Sequence, residues 1–317
     1  MEGLLLFGAS MVALAAIYAM VCMALNIEAG VGPLWDLGIV GSFGIGAYAY
    51  ALLTAAPAAD FQKYVLGLEL PMWVGAIGAV AAGIFAAWII AMPTLRLKRE
   101  YFLIVTLAFA EVIRQVYANE GWLTNGVAGI SGLEQPLKSQ FQPSTYPYVL
   151  MVICLAGMTV VWALTSALTH SPFGRSIKAL RENEALAITA GIDPRATSMR
   201  IYLIACGIAA FAGMFFVWYN TLLVPSQFRS DFTFFIWAAL IIGGISNQRG
   251  ALLGAFIFVF LHDSLRFLPI SGEMASSLTS LRTAIVGLVL ILILRFRPGG
   301  IFPERPNIFV LKGQNNA

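Results

Sequence analysis

Apolar residues in this chain come in long, nearly uninterrupted runs instead of alternating with polar ones. Runs fall at about 3–25, 37–56, 69–92, 100–118, 147–168, 201–222, 232–245, 251–268 and 282–296. Most approach or exceed the roughly 20 residues that cross a hydrocarbon core about 30 Å thick. In lipid every backbone N–H and C=O needs an internal partner, so such runs are helices or strands of a closed barrel. Barrel strands are about 10 residues long and alternate in polarity. These runs are long and apolar on all sides, so helices are predicted. The expected fold class is an all-α polytopic membrane protein with about nine (8–10) transmembrane helices, forming a single domain over 1–317.

Two places set the range in that count. The seventh run holds 14 residues, which rise only about 21 Å as a helix. Gly243 and Gly244 lie at its end, followed by the polar run Ser246, Asn247, Gln248 and Arg249. The stretch 30–46 carries Gly30, Gly32, Pro33, Gly38, Gly41, Gly44 and Gly46 beside Trp35 and Asp36. It forms either one helix or a broken segment, and irregular backbone at membrane depth is tolerated only where it lines protein or a cavity.

Composition agrees with the pattern. Hydrophobic residues make up 59% of the chain and charged ones 11%, against about 25% charged in soluble domains. A net charge of +3 is too small to suggest nucleic acid. The first run lacks a basic leader and is too long for a signal-peptide core, so it reads as a retained helix. Cys22, Cys154 and Cys206 sit in apolar runs without paired spacing and read as small core residues. With only His170 and His262 besides, no metal-site spacing is present and no cofactor is expected in this chain. The sequence contains no Walker A, HExxH or GxSxG pattern, so no catalytic activity is expected.

Orientation follows from basic residues. Nine spans place the loops 93–99, 169–200 and 246–250 and the C-terminal tail 298–317, with Arg295 and Arg297 at its root, on one side, with thirteen Lys and Arg against six on the other. The richer side is predicted to be cytoplasmic, which leaves the N-terminus and the loop 119–146 outside.

The cytoplasmic loop 169–200 carries the clearest local signal. Ser171 is a candidate N-cap with Pro172 at the first helical position. A single helix is predicted from Phe173 to Ala190, stopped by Gly191. Ile177, Leu180 and Ala187 give an apolar stripe, while Arg175, Lys178, Arg181, Glu182, Asn183 and Glu184 give a polar face. The stripe packs on the bundle or the lipid surface, or else it docks a cytoplasmic partner.

Charges within the runs form a second signal. Glu111 and Arg114 share a helix face, and Asp263 and Arg266 repeat the spacing. A charge at membrane depth costs at least about 2.5–3.5 kcal/mol. These are internal ion pairs with snorkelling arginines, or they are functional sites. Glu28 and Asp36 read as solvated loop residues near the cytoplasmic side. Gly44 and Gly46, like Gly243 and Gly244, allow close helix packing or line a path through the bundle. Ser42, Tyr48, Thr106 and Glu111 would supply polar groups to such a path.

Four regions resemble the branched-chain amino acid permease family of ATP-binding-cassette importers. They are Leu25-Asn26 with Leu37-Gly38 and Phe43 to Tyr48; Leu95-Arg96-Leu97 with Ile104 to Glu111 and the loop Leu123 to Gly132; Phe173-Gly174-Arg175 to Gly191-Ile192; and Gly243 to Ala255 with Arg297 to Phe302. Glu28, Asp36 and Val127-Ala128 depart from the expected pattern. The resemblance implies a permease bundle whose segment 169–200 is a coupling loop, with Arg175, Lys178, Arg181, Glu182, Asn183, Ala187 and Gly191 meeting an ATPase. It implies further partners: a second homologous permease, two cytoplasmic ATPase subunits that bind ATP and Mg, an external solute-binding protein, and the lipid of a bacterial inner membrane. The implied cargo is a branched-chain or other hydrophobic amino acid, with urea, short amides and small organic acids as relatives' cargoes. A self-sufficient ion-coupled transporter using Glu111 and Asp263 is the alternative, and it leaves the 173–191 segment unexplained.

Overall fold

The computed structural model describes residues 2–57, 62, 64–264, 284, 287–289, 291–292, 295–297 and 299–304. Arg266 and seven residues of the expected run 282–296 lie outside the described residues, as does the tail beyond 304.

The first helix, α1 (Glu2–Leu25), widens into one π-helical stretch at Asn26–Val31, and the chain then leaves helical form until α2 (Ile39–Thr54). The glycine-rich stretch is therefore broken, not one helix. After it come α3 (Met72–Thr94), α4 (Arg99–Asn119), a one-turn α5 (Gly121–Thr124), strand β1 (Ile130–Ser131) and α6 (Tyr146–His170). Two short helices, α7 (Pro172–Glu182) and α8 (Glu184–Thr189), lead into α9 (Pro194–Asn220) and strand β2 (Leu222–Leu223). Next come α10 (Ser230–Gly243) and α11 (Gln248–Ser264), and the described residues between 284 and 296 are again helical.

Among the described residues five helices are long and apolar enough to cross a membrane: α1 with its π-helical extension, α3, α4, α6 and α9. The helices α10 and α11 meet at 120° across a short break, so together they form one broken span or a re-entrant pair. The sequence had placed them as two separate spans. α2 is shorter, at 16 residues.

Contacts sort the connecting segments onto two ends of the bundle. At one end Arg181 reaches Gly30 and Ser246, and residues 95–99 line a groove with Leu180, Arg181, Pro194 and Arg195. At the other, Val65 N–H donates to the Trp122 carbonyl at 2.9 Å, and Ile130 and Ser131 pair with Leu223 and Leu222. Segments therefore alternate between the ends in chain order, as the run pattern predicts.

Why the bundle closes here is visible in its small residues. α1 and α9 run through the middle, with Ala15, Ala16, Ala19, Ala205, Ala209 and Ala212 fully buried. α2 packs so closely on α9 that a Cβ at Gly46 would strike the Ala210 backbone, and one at Gly213 the Phe43 carbonyl. Without a hydrophobic drive between helices in lipid, such close backbone approach is the main source of cohesion. The outer helices α3, α4 and α6 instead expose Trp73, Ile77, Phe85, Trp88, Val112, Val152, Val160 and Leu164, the surface a hydrocarbon phase would wet.

Gly46→Val should separate α2 from α9. Overpacking costs about 1–3 kcal/mol even where side chains can adjust, and here the obstacle is backbone. The expected result is a sharp fall in monodisperse protein on detergent size exclusion, while Gly3→Val, which meets nothing, should leave the yield unchanged.

Candidate functional site: a junction at one end of the bundle

The π-helical turn shifts the register of α1. Gly32 N–H donates to the Ile27 carbonyl at 2.9 Å and Leu34 N–H to the Glu28 carbonyl at 3.0 Å. Such turns are rare and frequent at functional sites. Once helical form stops, carbonyls near its end need partners from elsewhere. The Gly30 carbonyl accepts from Arg181 Nη1 and, at 2.5 Å, from the Ser246 hydroxyl. Arg181 Nη1 also donates to Ser246 Oγ at 2.5 Å. The other terminal nitrogen, Nη2, forks onto Glu304 at 3.0 and 3.1 Å. Ser246 N–H donates to Asn26 Oδ1 at 2.9 Å. A Cβ at Gly30 would collide with Asn26 Oδ1 and Ser246 N, which explains the glycine.

One arginine thus ties together three segments: α7, the break after α1, and the tip between α10 and α11. The tip is itself shaped for the contact, since Ser246 takes φ 74° and Gly244 φ 113°. Gly243 packs against the Gly250 carbonyl, and Gly244 N–H and the Phe302 backbone lie alongside. A cavity of about 440 Å³ opens beside the junction, walled by Trp35, Leu37, Arg99, Trp237 and Ile241. The Arg99 guanidinium lies 4.2 Å over the Trp35 ring.

The segment carrying Arg181 is two helices, not the single helix expected. Ser171 caps α7 as predicted, accepting from Gly174 N–H at 3.1 Å, with Pro172 following. Asn183 then adopts extended backbone and caps a second helix, its Oδ1 accepting from Leu186 N–H at 3.0 Å. Asparagine favours caps over helix interiors because its side chain competes for the same backbone groups. Gly191, at φ 83°, ends α8. Ile177, Leu180 and Ala187 are buried against the bundle, as the stripe implied. Arg175, Glu182 and Glu184 are exposed and Lys178 is half-buried. Leu186 and Ile188 stand 67% and 53% exposed, a pair the stripe argument did not single out.

Behind the junction lies an acid pair that the sequence placed wrongly. Glu28 and Asp36 are not solvated; both are fully buried. The turn folds them inward: Asp36 Oδ1 accepts from Gly38 N–H at 2.6 Å, while Leu37 N–H donates to Thr106 Oγ1 at 3.2 Å. Cys206 on α9 points its thiol at Glu28 Oε1, 3.9 Å away. Donor atoms of Glu28, Asp36 and Cys206 lie within 4.8 Å of one another. These residues come from positions 28, 36 and 206, so no short motif announced them.

The remaining candidates are spread through the fold. Glu111 and Arg114 form the expected ion pair, bridged at 3.0 and 3.1 Å from Arg114 Nε, but Glu111 is 42% exposed on the face of α4. Asp263 lies in the last turn of α11. Ser42 is buried, and a Cβ at Gly44 would meet the Phe228 ring at 3.1 Å. Tyr48 is stacked on Tyr117 with ring centres 3.9 Å apart. Gly44 and Gly46 therefore serve close packing within the chain's own core.

A family model described as branched-chain amino acid transport system / permease component matches residues 8–294. The high-affinity branched-chain amino acid transport system permease protein LivM of Escherichia coli K12 is 27% identical over 323 residues, covering 95% of this chain and 71% of the relative. The protein of the same name from Salmonella typhimurium is 26% identical, covering 94% of this chain and 71% of its own length. The ribose import permease protein RbsC of Haemophilus influenzae is 26% identical over 236 residues, 69% of this chain and 68% of the relative. No solved structure matches the chain.

The junction and the surface ion pair should differ in their share of stability. Ser246→Val removes the hydroxyl's hydrogen bonds with the Gly30 carbonyl and Arg181, at about 0.5–1.5 kcal/mol each, and puts a β-branched residue at φ 74°. Glu111→Gln disrupts a half-exposed pair, at about 1 kcal/mol or less. Thermal unfolding of the purified protein should show a clear drop in Tm for the first and almost none for the second.

Proposed function

This chain belongs to the branched-chain amino acid transport permease family, and from that premise we propose that it carries a branched-chain or other hydrophobic amino acid through the bacterial inner membrane. It does so as one permease of an ATP-binding-cassette importer. Its partners are a second, homologous permease, two cytoplasmic ATPase subunits and an external solute-binding protein. The end carrying α7 and α8 faces the cytoplasm, and the N-terminus faces outward, in keeping with the excess of basic residues on that end.

The observation that carries this reading is the Arg181 junction. α7 and α8 pack on the bundle through Ile177, Leu180 and Ala187 and leave Leu186 and Ile188 bare, an apolar pair that calls for a partner's groove. Their root is joined through one guanidinium to both helix breaks. Closing and opening of the ATPase subunits would push on that apolar pair, and Arg181 would pass that displacement to the broken segments. Broken helices are the elements best able to change course without losing internal hydrogen bonding. Rocking of the two permeases would then expose the path first outward, then inward. The apolar walls of Leu37 and Ile241, with the Arg99 cation beside them, suit an aliphatic side chain and a carboxylate on the inward side.

Uptake in membrane vesicles tests the reading. Transport should need the ATPase subunits, the binding protein and ATP together. Leu186→Glu combined with Ile188→Glu should remove the ATPases from the purified complex without lowering the permease yield. Uptake by this chain alone, abolished by collapsing a proton or sodium gradient, would instead establish the ion-coupled alternative.

A further inference from the structure

The acid pair poses an electrostatic problem that the transport reading does not address. Glu28 and Asp36 lie side by side at 0% exposure. Among the described residues neither is within ion-pair distance of a lysine or arginine. Among the described residues no donor group meets Glu28 Oε2 or Asp36 Oδ2 in hydrogen-bond geometry, and the two carboxyls are close enough to share a proton. Two uncompensated carboxylates at such depth are too costly to persist, since each desolvated ion carries a penalty of several kcal/mol. The pair is neutralised either by protons on the carboxyls or by a cation held between them.

We propose that Glu28, Asp36 and Cys206 bind a divalent transition-metal ion of the zinc type, which clamps the break after α1 to α9. Three features select this ligand. The Cys206 thiolate and one carboxylate match the charge of one divalent ion, while the second carboxyl keeps its proton and offers its carbonyl oxygen. The thiol adds a soft donor, which favours zinc-like ions over magnesium or calcium. The spacing also suits it: oxygen and sulfur ligands at about 2.0–2.3 Å from zinc stand about 3.3–3.8 Å apart around a tetrahedron, and Glu28 Oε1 and Cys206 Sγ are 3.9 Å apart. On binding, the Cys206 proton leaves to solvent and the sulfur coordinates as thiolate. The ion would fix the turn two residues from Gly30, whose carbonyl receives Arg181, so the break would keep its shape while α7 pulls on it.

The test uses the full transporter complex, purified through a tag without histidines. Elemental analysis should find about one zinc per copy of this chain. Exchange into cobalt(II) should give a thiolate-to-cobalt charge-transfer band. Cys206→Ser should abolish the band, and Asp36→Asn should remove most of the bound metal. A strong chelator should lower the Tm of the wild-type complex and leave that of Cys206→Ser unchanged. If Asp36→Asn does not assemble, the Cys206→Ser comparison and the wild-type metal content still decide the matter. A complex that holds no ion, shows no cobalt band and ignores the chelator would overturn the proposal and leave protons as the neutralising charge. Metal content and spectra are read without transport, so their failure is separate from any failure of the importer reading.

Discussion

The Gly30 carbonyl has to find a donor inside a membrane bundle, and most of the architecture at one end of the protein follows from how it does so. α1 begins as an ordinary apolar helix, widens at Asn26–Val31 and stops. A buried carbonyl released from helical pairing carries a free-energy cost unless a donor meets it. The donors come from far along the chain: the Arg181 guanidinium at the end of α7 and the Ser246 hydroxyl at the tip between α10 and α11. Satisfying one group therefore draws together segments 151 and 216 residues away. A charged donor on a carbonyl is worth more than a neutral one, about 1.5–3 kcal/mol, and Glu304 holds the same guanidinium from outside.

Function, in this account, grows from that economy of partners. A helix pair that only lay on the bundle surface would have no means to act on the spans. Here its root is the donor for a break in the first span and an acceptor's neighbour at the break between α10 and α11. The exposed Leu186 and Ile188 lie on the far side of the same short segment. Force applied there has a direct route of hydrogen bonds into the two least regular parts of the membrane domain. The close-packed interior of α1, α2 and α9 offers little give, because glycines such as Gly46 and Gly213 leave backbone against backbone.

Much of this was legible in the sequence, and the physical reasons divide cleanly. Long helices announced themselves because lipid demands continuous apolar runs, and the Ser171 cap and Gly191 stop were readable because they depend on neighbours in the chain. Asn183 was misread as a helix interior residue, since its capping role shows only when the backbone turns. α10 and α11 read as two spans because composition does not report the 120° angle between them. Glu28 and Asp36 were taken for solvated residues because a carboxylate next to glycines usually is; their burial depends on α4 and α9, which are distant in sequence. Arg181 was singled out as a surface charge, but its partners Gly30, Ser246 and Glu304 are tertiary facts. The polar interruption at Ser246-Asn247 between apolar runs was the one signal that pointed toward them.

The most direct test of the account is the coupling ratio of the reconstituted importer, amino acid taken up per ATP hydrolysed, with Arg181 replaced by glutamine. Gln keeps a donor and much of the length but loses the forked charge that spans all three segments. The account predicts an assembled complex that still hydrolyses ATP but takes up at least about tenfold less solute per ATP, which corresponds to about 1.4 kcal/mol of lost coupling. An unchanged ratio in an intact complex would mean that ATPase motion reaches the spans by another route, and the junction would then be a structural contact only.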